Sequence, residues 1–310
     1  MEVNLRPYQR AGIKHLINNE RACLFWDPGL GKTLTTLLSF LLCQQRAGVK
    51  TALVVAPLRV AQSVWYREAA KWTPTAHLRV ELIHGAKKHE ALHKPADIHV
   101  INYEGLAWLI KQFKDDEPMP WDLVIFDELS KLKSPTTQRH KMLRKAIHRF
   151  PRRWGLTGTP APNSLMELFG QMLIIDGGRA LGSNLFTFQQ TYFRKPHPRS
   201  FDWLPRPEAP DRIAAKLAKT CHRLAAKDHL TLPPRTNIYH SIDIGARSRE
   251  AHRDMESDLL VQLSEQDTVT ALSAAAAWGK LQQIANGFVY GEDRQVTRLH
   301  HAKLEALEDI

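Results

Sequence analysis

Cysteine is scarce: the 310 residues hold three, Cys23, Cys43 and Cys221, far apart and each in an apolar or helical setting. That excludes a disulfide framework and a thiolate metal cluster, and it fits a reducing compartment. No run of about 18 uncharged apolar residues occurs, and Met1-Glu2-Val3-Asn4-Leu5-Arg6 lacks the apolar centre of a signal peptide. A soluble, unexported protein of the cytoplasm or nucleoid, without a membrane partner, is therefore expected. Acids are short of bases, 32 against 43, which leaves a formal charge of +11. Such an excess calls for an anionic partner or a solubility role, and nucleic acid is the first expectation. His84, His89 and His93 have no accompanying cysteine or carboxylate cluster, so they read as ordinary surface or loop histidines.

What is present is ample apolar material, 43% of residues, with the periodicity of alternating strands and helices. Ala22-Cys23-Leu24-Phe25 reads as a buried strand, followed by the turn Asp27-Pro28-Gly29-Leu30-Gly31-Lys32-Thr33 and an apolar-periodic helix from Leu34 to Leu42. A strand, a glycine turn and a helix start in that order surround one point with backbone N–H groups and the positive end of a helix, which suits a polyphosphate. Lys32 would reach the β and γ phosphates and the Thr33 hydroxyl would ligate magnesium. The strict pattern has glycine at position 26, where this chain has Trp26. Further strands are expected at Thr51–Ala56, Arg79–Ile83, Ile98–Ile101, Leu123–Phe126 and Trp154–Leu156, each near a helical segment, which predicts an α/β fold with a parallel sheet covered on both faces.

From Gly177 the texture changes to a stretch holding Pro196, Pro198, Pro205, Pro207 and Pro210. A domain boundary falls there, with a mostly helical segment beyond it, interrupted by a strand over Asn237–Ile244; Ala271–Ala277 reads as helix.

Asp127-Glu128 directly follow four apolar residues, which puts two carboxylates at the carboxyl end of a buried strand, where open α/β sheets bind ligands. In a nucleotidase the first holds magnesium and the second accepts the proton of the attacking water; otherwise they are acids placed for a helix dipole. Leu156-Thr157-Gly158-Thr159-Pro160 stands at another strand end, either bridging the acidic pair to another element or simply turning the chain. Arg139 to Arg153 carries seven basic residues and no acid, with Met142, Leu143, Ala146, Ile147 and Phe150 on its apolar side. It reads as one amphipathic helix, either tracking DNA or presenting a solvated face.

Taken in order, Gln9 within Leu-Arg-Pro-Tyr-Gln, the Gly-Leu-Gly-Lys-Thr loop, Val55-Ala56-Pro57, Trp65 and Glu68, Tyr103-Glu104, Asp127-Glu128 and Leu-Thr-Gly-Thr-Pro with Asn163 resemble helicase superfamily two. The Swi/Snf-type DNA translocases match best. Later landmarks, Leu232-Pro233-Pro234-Arg235 and Leu281 to Asn286 among them, carry the resemblance over nearly the whole chain. The resemblance implies a RecA-like lobe that hydrolyses ATP with magnesium and translocates on double-stranded DNA. It implies that Gln9 reads adenine, that Pro28 to Thr33 cradle the phosphates, and that Asp127 and Glu128 serve magnesium and water. It also implies that Pro57, Leu58, Arg59, Asn102 and Tyr103 face a DNA backbone, and that Thr157, Gly158 and Thr159 couple the nucleotide to lobe movement. The family's acidic motif usually ends in Ala-His, where Leu129-Ser130 stand here.

The implied organisation is a first RecA-like lobe over 1–176, a helical, proline-rich insertion over 177–235, a strand and helices over 236–300, and the opening of a second lobe at 301–310. Because that second lobe supplies arginines to the γ phosphate in the family, a chain ending at Ile310 is expected to behave as an amino-terminal fragment that binds nucleotide weakly and hydrolyses it poorly. Two alternatives accompany the translocase: a strand-separating DNA or RNA helicase, and a nucleotide-gated nucleic-acid-binding module without turnover.

Overall fold

The computed structural model describes residues 1–114, 117–197, 199–231, 236–257, 260–262, 268–270, 274–291 and 295–310. Pro198, Leu232-Pro233-Pro234-Arg235 and residues 271–273 of the alanine-rich segment lie outside the described residues. The chain forms two compact units, Met1–Leu232 and Pro233–Ile310.

In the first unit, short largely apolar runs become strands, buried on both faces except at the sheet edge β3. They are β1 (Arg21–Trp26), β2 (Ala52–Ala56), β3 (Val80–Ile83), β4 (Ile98–Asn102), β5 (Leu123–Asp127) and β6 (Arg152–Thr157). After a two-stranded ribbon, β7 (Phe193–Arg194) with β8 (Leu204–Pro205), a seventh sheet strand follows, β9 (Cys221–Leu224). The sheet order is β3-β4-β2-β5-β6-β1-β9, with every pairing parallel. All strand carboxyl ends therefore share one edge, and the segments following Trp26, Ala56, Asn102, Asp127 and Thr157 meet there.

Alternation along each strand sends side chains into two separate cores. Ala52, Val54 and Ala56 join Leu37 and Phe40 of α2 (Lys32–Arg46), Leu16 of α1 (Pro7–Asn18) and Trp65 of α3 (Leu58–Lys71) on one face. Leu53 and Val55 join the other face, covered by α4 (Lys88–His93), α5 (Leu106–Ile110), α6 (Gln138–Ala146), α7 (Glu167–Ile175), α8 (Leu185–Tyr192) and α9 (Ala209–Leu217). This is the parallel sheet covered on both faces that the alternating pattern predicts, and it agrees with the RecA-like lobe the resemblance implies.

Three features differ from the sequence reading. The basic stretch 139–153 is not one helix: α6 ends at Ala146, a 3-10 turn spans Ile147–Arg149, and Arg152 and Arg153 open β6. Their pairing with Leu123 and Val124 on β5 takes precedence over the helical spacing. The segment after Gly177 is not only helical, because β9 completes the main sheet beside β1, Cys23 lying opposite Cys221. Residues 237–244 form no strand, and Ile238 and Tyr239 are exposed; their alternation meets no pairing edge among the described residues.

The second unit contains α10 (Ala246–Ser257), the ribbon β10 (Leu260–Gln262) with β11 (Thr268–Thr270), α11 (Ala274–Ala285), the ribbon β12 (Phe288–Tyr290) with β13 (Val296–Arg298), and α12 (Ala302–Glu308). Met255, Leu281, Ile284 and Val289 form its small core. Among the described residues no helix is long and apolar enough to cross a membrane.

Trp26 has a structural role. Its indole is fully buried, its Nε1 donates to His222 Nδ1 at 2.9 Å, and a Cβ on Gly12 would lie 2.4 Å from its ring, so α1 packs on it at a glycine. His15, His99, His140 and His222 all have pKa values lowered chiefly by burial, so they are held neutral. A base whose folded pKa lies below its unfolded value, near 6.5, protonates first in the unfolded chain. Stability is therefore full above that unfolded value and is lost as pH falls below it. Urea unfolding should give a lower midpoint at pH 5.5 than at pH 7.5; an equal or higher midpoint at pH 5.5 would contradict this account.

Candidate active site

The turn after β1 is built to leave backbone groups free. Gly29 and Gly31 hold φ of 85° and 76°, in the left-handed region that a side chain disfavours, and α2 begins at Lys32. Leu30 anchors the turn in the core, while Pro28 and Gly29 are exposed and Thr33 is half-buried. Gln9 packs directly against the turn, since a Cβ on Gly31 would lie 2.6 Å from its amide nitrogen; its Oε1 accepts from the Arg6 backbone N–H at 3.0 Å. Lys32 Nζ donates to the carbonyls of Trp26 at 2.7 Å and Asp27 at 3.3 Å, lying across its own loop. Burial lowers its pKa, opposed by the charges of Asp127, Glu128 and Asp27. Asp27 ties the loop to the sheet edge: its Oδ2 accepts from Ala226 N at 2.8 Å and its backbone N–H donates to Leu224 O at 3.2 Å.

Asp127 is the last residue of β5. Its Oδ2 accepts from Trp65 Nε1 at 2.9 Å, and burial raises its pKa against the pull of that hydrogen bond. Glu128 turns the chain with φ 57° and ψ 60°, the one non-glycine residue with positive φ among those described. A left-handed residue with a Cβ costs about 1–2 kcal/mol, so the surroundings must hold it there. Tyr103 does part of this, its hydroxyl donating to the carbonyls of Asp127 at 2.9 Å and Glu128 at 3.2 Å. Burial, with the nearby Asp127 and Glu128 charges, pushes the Tyr103 pKa well up and keeps it a donor.

Glu128 Oε1 accepts from two hydroxyls, Thr157 Oγ1 at 2.8 Å and Ser130 Oγ. Thr157 Oγ1 in turn accepts from the Thr159 N–H at 3.2 Å, and a Cβ on Gly158 would meet Pro28 Cδ at 2.9 Å. The Thr-Gly-Thr segment thus touches the acidic pair on one side and the glycine turn on the other. Ser130, where the family pattern has histidine, is bonded to the acidic residue itself.

The residues expected to face DNA lie on the other side of β5, at the ends of β2 and β4. Leu58 and Arg59 are exposed and Pro57 is half-buried at the start of α3. Asn102 is buried, its Nδ2 donating to Glu104 Oε2 at 2.9 Å. Tyr103 is 2% exposed, so its side chain positions Asp127 and Glu128 and is not open to a ligand. The bond from Trp65 to Asp127 and the loop anchor of Asp27 went unseen in the sequence. Helical spacing marks Trp65 as buried, but nothing local indicates which strand end its N–H meets. Among the described residues no cluster of histidine, cysteine and carboxylate ligands is placed to hold a metal by itself.

A family model described as the SNF2-related domain matches residues 8–287. The chain belongs to the SNF2-related family. Protein p41 of Acyrthosiphon pisum secondary endosymbiont phage 1 is 34% identical over 98% of this chain and 68% of its own length. The DNA repair and recombination protein RAD54-like of Gallus gallus is 30% identical over 56% of this chain and 26% of its own. Among solved structures, the Sulfolobus solfataricus SWI2/SNF2 ATPase core in complex with dsDNA superposes with a TM-score of 0.59 at 23% identity, over 92% of this chain and 59% of that one. That likeness concerns the fold. The SNF2-related chain thus spans about a quarter of the RAD54-like relative and just over half of the archaeal core.

Trp65→Phe removes the indole N–H that donates to the half-buried Asp127 carboxylate and should cost about 1.5–3 kcal/mol in denaturant unfolding. In an Asp127→Asn background the cost should shrink, because no carboxylate charge then loses a donor. An equal cost in both backgrounds would show that the indole acts only by packing.

Proposed function

We propose that this SNF2-related chain is the nucleotide-binding lobe of an ATP-driven translocase on double-stranded DNA. The observation that carries the reading is that Thr157-Gly158-Thr159 touches two other segments, the acidic pair through the bond from Thr157 to Glu128 and the glycine turn where Gly158 meets Pro28.

The residues present suit a magnesium–polyphosphate ligand. The turn offers backbone N–H groups at two left-handed glycines and a helix start, which favours phosphate oxygens. Thr33 and Asp127 supply the hard oxygens a magnesium ion prefers, and the ion, when bound, offsets negative charge on the phosphates. Lys32 exchanges its two loop carbonyls for phosphate oxygens, and Gln9, packed on Gly31, recognises the base. Glu128 is oriented by the Ser130 and Thr157 hydroxyls and accepts a proton from the attacking water. Through that same bond Thr157 passes the state of Glu128 to Thr159, whose N–H it accepts, and to Gly158, which rests on the glycine turn. Duplex DNA as the track is supported by the net charge of +11, by exposed Leu58 and Arg59 at the shared sheet edge, and by the dsDNA bound to the archaeal core.

ATP hydrolysis measured with and without duplex DNA tests the reading. With the second lobe present, Lys32→Ala and Glu128→Gln should each reduce DNA-stimulated turnover by about a hundredfold or more while leaving the fold intact. Undiminished turnover in both variants would sink it, and strand displacement from the same duplex would replace translocation by unwinding.

A further inference from the structure

The edge of the sheet opposite the nucleotide loop carries charges that the motor chemistry does not use. Arg21 opens β1 and Arg153 is the second residue of β6, and the two are register partners on neighbouring strands. Like charges side by side in a sheet are destabilising unless something lies between them. Arg144 and His148 from the end of α6 and the turn after it, with Arg179 after α7, complete a cleft of about 370 Å³ at this edge.

Very little within the protein balances these cations. Arg153 is 5% exposed, and its guanidinium donates only to neutral acceptors, the carbonyls of Phe150 at 3.3 Å and Ile174 at 3.4 Å. Burial, with Arg21 and Arg179 nearby, lowers its pKa to about 10. The Arg21 Nε is buried with no hydrogen-bond partner. Asp176 is the one carboxylate lining the cleft; its charge offsets part of theirs at Arg153 and Arg179, while its hydrogen bonds go to backbone. Its oxygens accept from the backbone N–H groups of Gly178 at 2.8 Å, Arg179 at 3.0 Å and Ala180 at 3.1 Å. None of the four arginines lies within ion-pair distance of a carboxylate among the described residues. A neighbouring cleft of about 500 Å³ shares Arg21, Asp176 and Arg179 and adds Lys216 and Lys219, with exposed Glu20 as its further acid.

An unpaired buried donor and clustered guanidiniums cost free energy unless an anion completes them. We propose that this cleft is a second anion site, in which Arg21, Arg144, Arg153, Arg179 and His148 hold one phosphate or diphosphate group. Planar guanidiniums pair with oxyanions two oxygens at a time, which disfavours a halide, and four of them facing one acid favour the higher charge of a phosphate or diphosphate over a single carboxylate. The site is distinct from the nucleotide loop: β1 runs the six residues from Arg21 to Trp26, about 17 Å at the usual strand rise, so no single diphosphate reaches both. A space of this size admits a free phosphate or a terminal phosphate of a nucleic acid strand, and not a duplex.

The test is thermal unfolding of the 310-residue chain carrying Lys32→Ala, which removes the lysine of the nucleotide loop, in pyrophosphate against chloride at equal ionic strength. Pyrophosphate at about ten times its dissociation constant should raise Tm by about 3 °C. The rise should vanish in Arg144→Gln/Arg179→Gln, two exposed positions, and persist in Arg46→Gln/Lys87→Gln, which removes equal charge elsewhere. No rise, or equal loss in both pairs, would overturn the proposal. Phosphorus NMR line broadening of pyrophosphate repeats the comparison without relying on melting, and broadening unchanged in the Arg144/Arg179 pair also refutes the site. A short single strand with and without a 5′-phosphate distinguishes the sources. Binding that needs both that phosphate and the two arginines assigns a strand end, and binding of pyrophosphate alone assigns a free anion.

Discussion

The hydrogen bond between Thr157 and Glu128 is the contact on which the rest of the site depends. It joins the ends of two neighbouring strands, β5 and β6, through side chains and not through the ladder between them. Without it, the acidic pair and the Thr-Gly-Thr segment are two loops that happen to be adjacent. With it, a carboxylate held in a left-handed turn is fixed against the segment that rests on Pro28. The backbone strain at Glu128 is small beside the total stability of a domain, but it is sustained only by surrounding bonds, here from Tyr103, Ser130 and Thr157.

Much of this was legible in the sequence because the parallel sheet leaves an unusually clear record. Strands buried on both faces are short apolar runs, and five of the seven were visible as such, with the half-buried edge strand β3 marked by Val80, Leu82 and Ile83. The seventh, Cys221-His222-Arg223-Leu224, is an edge strand with only Cys221 buried, so its residues carry no apolar run to mark it. The basic stretch 139–153 misled for a related reason. Charged residues are compatible with a helix surface, yet Arg153 enters a strand and becomes buried because its position in the β5–β6 register leaves no other place for it.

At the site, residue types were legible and their partners were not. Lys32, Asp127, Glu128 and Thr157 follow from strand ends and loop chemistry. Trp65 reaching Asp127, Tyr103 reaching two carbonyls and Asp27 reaching Ala226 join residues 24 to 199 positions apart, and only the assembled sheet brings them together. Tyr103 shows the consequence most plainly. Its position suggested a surface for DNA, while its burial makes it a brace for the acidic turn. Trp26, which departs from the phosphate-loop pattern, replaces a small residue with a buried ring that α1 accommodates at Gly12.

The central claim is that the three segments respond to nucleotide as one site. Hydrogen exchange of the chain, with and without magnesium and a non-hydrolysable ATP analogue, addresses it most directly. The account predicts added protection in residues 29–35 together with 128–131 and 157–159, and none in the ribbon at 193–205. Protection confined to the glycine turn, with the other two segments unchanged, would contradict it.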